Sequence, residues 1–337
     1  MLNVGIIGAG AFGRQHARAI AALPDVRVVA ASRTNPNALQ AFVAEFGCQG
    51  YTDYNDLIAD PAVQAVAIAT PHDLHTEIVI KATRAGKHIL LEKPIAPTLA
   101  ECDQIVSAVQ ASDVTFMAGH TNHFVPVYRQ AKAIVDSGEL GQLIMGIDKT
   151  YKFWMVPNRR PWHLDRRQGG GMWMTIGVHN VDRLTWFAGS RVRAVSAHLG
   201  TRYHDQQADD TGMAFLRYEN GFAGTVAVAG YSSGAPSFEL ELMLTGGRLR
   251  IDKMSGLQIG RGEKWQDVPL EKVVDGETWM EEALIMEWRA FVDAIDEGSP
   301  SPISAEFARH IMAVIFAAER SSREGREVEI EAVEGEA

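Results

Sequence analysis

Cysteine is scarce in this chain: Cys48 and Cys102 are the only two among 337 residues. They stand far apart in unlike contexts, so neither a disulfide framework nor a metal-type spacing can be drawn from them. Positive charge is also in short supply. Thirty-two Lys and Arg face 42 Asp and Glu, a formal net charge of −10. That balance argues against a nucleic-acid partner or an anionic membrane surface, and any bound anion must be held by a local site. No apolar run approaches the roughly 20 residues that a membrane-spanning helix needs. The first residues show no basic segment followed by an apolar one and a small-residue cleavage site. The default expectation is a cytoplasmic protein. Flexible linkers, internal repeats and long charge blocks are missing too.

What is present is ordinary for a packed protein: 46% hydrophobic and 22% charged residues. The length exceeds one ordinary core and suits two domains. The first 120 residues alternate between strand-like and helical patterns. Strands are expected at residues 2–7, 26–31, 65–69, 88–91 and 114–118. Helices are expected at 14–23, 37–46, 77–85 and 99–109. Short apolar strands separated by helices imply a doubly wound parallel sheet. After residue 122 the texture changes. Helical patterns at 127–135 and 177–187 flank a segment at 143–153 and a loop rich in Trp, Arg and Gly at 154–171. Strands are then expected at 192–199, 212–218, 222–228, 239–245 and 248–252, with turn signals at Glu219-Asn220-Gly221 and Gly246-Gly247. Helices at 280–296 and 305–322 close the chain. The expected division is residues 1–122 and 123–337, the second an α/β domain with a mostly antiparallel sheet.

Gly8-Ala9-Gly10-Ala11-Phe12-Gly13 fits G-x-G-x-x-G. It follows a predicted strand and opens a predicted helix, the setting in which this pattern binds a dinucleotide in a Rossmann domain. Gly8 serves the tight turn, Gly10 the approach of the backbone to a pyrophosphate, and Gly13 close packing of helix on strand. Ala11 and Phe12 supply first-turn N–H groups to the anion. The second strand runs into Ser32-Arg33-Thr34 without the carboxylate that would bind an unmodified ribose diol. Ser32 and Arg33 suit a 2′-phosphate, which favours NADP over NAD. A second reading has Arg33 stacking on adenine in an NAD enzyme.

Three segments fall at strand ends of the first sheet, where ligands of such sheets bind. They are Thr70-Pro71-His72 with His75, Glu92-Lys93-Pro94, and Gly119 to His123 with Asn122. Lys93 can donate a hydrogen bond or proton to a substrate oxygen as hydride moves. Equally, it can be a surface lysine paired with Glu92. In the second domain Gly169-Gly170-Gly171 precedes Thr175 and His179, which are four apart and share a helical face. A histidine there can shuttle a proton near neutral pH. Asp182 lies three beyond it. His72, His75, His120, His123, His163 and His179 lack zinc-site spacing, so no metal is expected. Among the tryptophans, Trp186 reads as core and Trp162 as a substrate contact. Arg159, Arg160, Arg166 and Arg167 read as solvated.

Taken together, the glycine loop, Thr70-Pro71 with His75, Glu92-Lys93-Pro94 and the Gly169-to-His179 segment resemble the Gfo/Idh/MocA oxidoreductases over nearly the whole chain. Glu92-Lys93-Pro94 in this order is far more specific than the glycine loop. The resemblance implies a C-terminal domain with a large open sheet that mediates a homodimer or tetramer. It implies that Lys93 sits beside the nicotinamide and the reacting carbon. It also implies that His179 gives or takes the proton of the substrate oxygen. Two departures fall in the implied substrate pocket: Thr175 replaces a frequent Asp, and Thr121-Asn122-His123-Phe124 replaces Asn-Arg-Arg-Phe.

The expected function is hydride transfer between a nicotinamide and a secondary alcohol or ketone of a sugar, cyclitol or similar ring. One alternative is a dehydrogenase of an aromatic-pathway dihydrodiol or cyclic hemiacetal. Another, of a different class, is a non-catalytic NADP-binding redox sensor.

Overall fold

Patterns of apolar residues set the elements, and side-chain caps fix the starts of some helices. The computed structural model describes residues 1–154, 161–166, 169–252, 255–270 and 278–330. Strand β1 (Leu2–Ile7) leads into α1 (Ala11–Ala21). Then come β2 (Val26–Ser32), α2 (Pro36–Phe46), β3 (Gln49–Tyr51), α3 (Tyr54–Ala59) and β4 (Ala65–Ile68). They are followed by α4 (His75–Arg84), β5 (His88–Glu92), α5 (Leu99–Gln110) and β6 (Phe116–Gly119). Next are α6 (Pro126–Ser137), β7 (Leu143–Phe153), α7 (Val178–Ala188), β8 (Val192–Gly200), β9 (Thr211–Tyr218) and β10 (Ala223–Tyr231). The strands β11 (Ser237–Leu244), β12 (Gly247–Asp252), β13 (Gly256–Arg261) and β14 (Lys264–Val268) precede α8 (Trp279–Glu297), α9 (Ala305–Glu324) and β15 (Val328–Glu329).

The chain forms two compact units. One is Met1–Phe124 with Glu277–Arg309; the other is Val125–Gly276 with His310–Ala337. The first holds a six-stranded sheet in the order β3-β2-β1-β4-β5-β6, parallel throughout. Strand β4 is buried along its whole length, which explains its unbroken apolar run. The strand order reverses between β1 and β4, and ligands of such sheets bind at that crevice. Helix α2 shows how sequence sets an end. Asn35 accepts from Ala38 N at 3.0 Å, Pro36 opens the first turn, and Gly47 closes it at φ +65°.

Residues 277–309 differ from the expected division at 122/123. Periodicity identifies α8 as a helix but cannot name the sheet it covers. Here it packs on α1, with Trp288 fully buried. The segment after it joins the edge strand, where Ala118 N donates to Ile303 O at 3.0 Å. Both α3 and β3 were also unforeseen: β3 is three residues long and α3 six, too short for a period to register.

The second unit holds a nine-stranded sheet ordered β14-β13-β12-β11-β7-β10-β9-β8-β15. Every pairing is antiparallel except β7 with β10. Unforeseen β13 and β14 carry, apart from buried Leu257, half-buried and exposed residues with little alternation. Gly146 and Gly224 turn toward Leu184 of α7. The opposite face leaves Met145, Ile147, Met213 and Phe215 exposed. Among the described residues, no helix is long and apolar enough to cross a membrane.

Candidate active site

In the first unit the loop after β1 is fastened from three sides. Gly8 N and Ala9 N donate to Ser32 O at 3.1 and 3.0 Å, tying the loop to the end of β2. Gly8 has φ +96°, and a Cβ there would stand 2.5 Å from Ala69 O. A Cβ on Gly13 would stand 2.3 Å from Gly8 O, so helix and loop touch backbone to backbone. Gly10 is different: nothing lies nearer than 3.9 Å to its Cβ position. It caps α1 with no side-chain partner, and no acid occupies the first turn. The turn's N–H groups, at Ala11, Phe12 and Gly13, therefore face an approach open to an anion. Beside the loop, the buried Thr70 Oγ1 has no hydrogen-bond partner. An open Gly10 and an orphaned hydroxyl fit a dinucleotide pyrophosphate.

Ser32 is buried and Thr34 exposed. Half-buried Arg33 folds back over the loop, its Nη1 donating to Ala9 O at 3.0 Å. His75 links two strand-end loops. Its Nδ1 lies 3.2 Å from Pro94 O and its Nε2 3.1 Å from Thr70 O. Burial pushes the His75 imidazole below its usual range. The neutral ring has one N–H, so it donates to one carbonyl and merely abuts the other. This places the half-buried Lys93, joined to Pro94 by a cis peptide bond, beside the Thr70-Pro71 loop. Half-buried His72 stacks edge-on to His75 at 5.5 Å. Asn122 and His123 lie in the buried turn Thr121–Phe124, and the His123 ring packs on Phe307 at 5.7 Å.

In the second unit the glycine run leads into a π-helical turn, Trp173–Gly177, continuous with α7. Thr175 is buried and its Oγ1 donates to Gly171 O at 2.6 Å. His179 is half-buried in the first turn of α7. Asp182 is fully buried. The helix is anchored to β7 by an ion pair: Arg183 donates twice to Asp148, both contacts 2.8 Å. Asn180 donates to the same carboxylate at 2.5 Å. Asp209 holds the start of the π turn, accepting from Trp173 N at 2.6 Å. Burial pushes its carboxyl up to about 7, against the lowering pull of that N–H.

Asp148, Arg183 and Asp209 were not singled out in the sequence, because their partners are 35 or 36 residues away. Among residues that were, Arg166 is paired with Glu319 rather than solvated. Trp186 is half-buried rather than core, lying 6.0 Å from Lys132 Nζ. The side chain of Trp162, and Arg159, Arg160 and Arg167, lie outside the described residues.

The fold and loop define a two-unit oxidoreductase whose first unit is built for a nicotinamide dinucleotide. Residues 2–120 match the oxidoreductase family with an NAD-binding Rossmann fold, and residues 128–250 match the GFO/IDH/MocA C-terminal domain. The chain belongs to the Gfo/Idh/MocA oxidoreductases. Myo-inositol 2-dehydrogenase of Thermotoga maritima is 26% identical over 99% of this chain and 100% of that protein. A 1-carboxy-3-chloro-3,4-dihydroxycyclohexa-1,5-diene dehydrogenase of Comamonas testosteroni is 32% identical over 61% of this chain and 52% of that protein. A levoglucosan dehydrogenase solved with NADH and levoglucosan is 25% identical, with a TM-score of 0.88, covering 98% of this chain and 100% of that one.

Proposed function

We propose that the protein is a dehydrogenase of a sugar, cyclitol or similar polyhydroxylated ring, oxidising a secondary alcohol or reducing its ketone. The observation that carries this reading is the first-unit arrangement: an open Gly10, an unpartnered Thr70 hydroxyl and Lys93 on a loop latched by His75. The bound nicotinamide supplies the hydride acceptor or donor. The glycine loop holds the pyrophosphate, and Thr70, Pro71, His72, Asn122 and the Glu92-Lys93-Pro94 loop shape the nicotinamide end. Lys93 donates a hydrogen bond to the reacting oxygen. His179 takes the hydroxyl proton during oxidation and returns it during reduction. Thr175, His123 and Trp162 contact the ring. A Lys93→Ala protein that keeps its cofactor affinity and loses turnover fits this role and rules out a redox sensor; unchanged turnover overturns it.

The finer cofactor reading is NADP over NAD. No carboxylate ends β2, and Arg33 keeps donors beyond the one spent on Ala9 O. Titration with NADPH and NADH, followed by nicotinamide fluorescence, tests it; tighter NADH binding refutes it. Homo-oligomerisation is proposed through the exposed Met145, Ile147, Met213 and Phe215 face. A monomer in sedimentation at micromolar concentration refutes that. A cytoplasmic setting, where the buried thiols Cys48 and Cys102 stay reduced, completes the proposal.

Thr175 favours a second reading. Its neutral hydroxyl, turned to Gly171 O, stands where a carboxylate would grip polyol hydroxyls. A less polar ring, such as a cyclic dihydrodiol or hemiacetal, suits that pocket. A substrate panel showing turnover of polyols alone sinks this version.

A further inference from the structure

Around Glu92, the residue before Lys93, the first unit buries two polar side chains that the function above does not use. His16 on α1 and Glu287 on α8 are both 0% exposed, and Glu92, which ends β5, is 8% exposed. One ligating atom from each lies within 4.8 Å of the others. Such a group can hold a metal ion or a proton, and Trp288 decides between them. Its indole Nε1 donates to His16 Nδ1 at 3.0 Å. Indole nitrogen only donates, so His16 Nδ1 is an acceptor and the ring proton sits on Nε2. That N–H points at Glu92 Oε1, 3.0 Å away. A metal would need the Nε2 lone pair, which this tautomer does not offer.

Two carboxyl groups remain, both buried. Thr121 Oγ1 lies 3.5 Å from Glu287 Oε2, while Glu287 Oε1 has no hydrogen-bond partner. The side chains facing the group can be named element by element. From α1 there is His16, and from the turn after β6 there is Thr121; His120 and His123 of that turn set their rings on Phe307. From β5 there is Glu92, followed by Lys93. From α8 there is Glu287 itself, since Arg289 pairs with Asp25. Two like charges this close and this buried cannot both persist without a proton between them.

We propose that Glu287 is a positioning residue whose proton is shared with Glu92, directly or through one water, so that His16 and Glu287 together brace the residue that precedes Lys93. Glu92 Oε1 lies against Gly119, where a Cβ would stand 2.9 Å from it, so the carboxylate occupies room that only a glycine leaves. Burial, and next the neighbouring Glu92, push the Glu287 carboxyl well above its usual range, in keeping with a retained proton. The functional half rests on the reading of Lys93 given above; the proton does not.

The test uses Glu287→Gln and Glu287→Ala in the full chain. Glutamine keeps a neutral donor and cannot ionise. Wild type should lose stability relative to Glu287→Gln as pH rises from the ordinary carboxylate range, by up to about tenfold in the folding equilibrium per pH unit. Parallel melting curves for the two proteins between pH 5 and 8.5 overturn the shared proton. So does a Glu287→Gln protein that is less stable at high pH, which a metal ligand would produce. For positioning, Glu287→Ala should lower kcat about tenfold or more with KM little changed, and Glu287→Gln should restore it. A loss that glutamine does not restore overturns the bracing role. Normal turnover by Lys93→Ala would defeat the functional reading and leave the melting comparison intact.

Discussion

Replacing Gly10 by alanine should leave the protein folded and remove most of its cofactor affinity. Gly10 sits at φ −90°, ψ −156°, an extended conformation that alanine adopts. Its Cβ would meet nothing nearer than 3.9 Å. Alanine is a poorer helix cap than glycine by up to about 1 kcal/mol, and it restricts the unfolded chain by ~0.4–1 kcal/mol in the opposite sense. The two nearly cancel. A methyl group there nevertheless occupies the approach to the α1 N–H groups. Each hydrogen bond to a charged phosphate lost is worth about 1.5–3 kcal/mol, roughly a 10- to 100-fold weaker dinucleotide. Gly13→Ala is the control with the reverse signature. Its Cβ meets Gly8 O at 2.3 Å, so it should destabilise by roughly 1–3 kcal/mol. Melting temperature reports the first quantity and nicotinamide fluorescence the second. A Gly10→Ala protein that binds within about threefold of wild type, under ~0.7 kcal/mol, would refute the placement of the pyrophosphate.

Three other outcomes are expected. Arg183→Met strands the fully buried Asp148 without its cation and should cost about 3–5 kcal/mol in urea unfolding, much of it regained in the Asp148→Asn double variant; a loss below ~1 kcal/mol contradicts the anchor. Asp209 has its folded pKa raised, so the stability it contributes is full at acid pH and is lost as pH climbs toward about 7. Asp209→Asn should therefore gain on wild type up to about pH 7 and run parallel above it; a constant gap from pH 4 to 8 removes this account. Arg33→Ala should weaken NADPH more than NADH, by a factor of ~10 or more for a lost ion-paired hydrogen bond; equal losses for both would assign Arg33 to adenine instead.

The first sheet was legible because βα alternation puts its information in short windows: each strand and each long helix carries its own period. The glycine loop was legible for the same reason, with Gly8, Gly10 and Gly13 acting within six residues. Lys93 and His179 stood out through a local motif and a glycine run. The bracing groups did not. His16 and Glu287 acquire meaning only from partners brought by folding: Leu284 and Phe291 put Glu287 on the apolar face of α8, but nothing local announces that Glu92 meets it there. Short α3 escaped because six residues carry less than two turns of period, and β3, β13 and β14 escaped because strand pairing rather than propensity makes them. The allegiance of α8 escaped for a related reason: amphipathicity says that a helix has an apolar side, not whose core receives it.

That allegiance bears on how the chain is made. The first unit includes 277–309, which leaves the ribosome only after the main segment of the second unit, Val125–Gly276, has been synthesised. Until then the nascent sheet lacks α8, His16 lacks its indole donor, and the side of α1 that Trp288 covers stays open. The first half of the gene product to emerge is thus among the last to be completed. A chain truncated before residue 277 should display that apolar seam to chaperones, and the full chain, once released, should hide it.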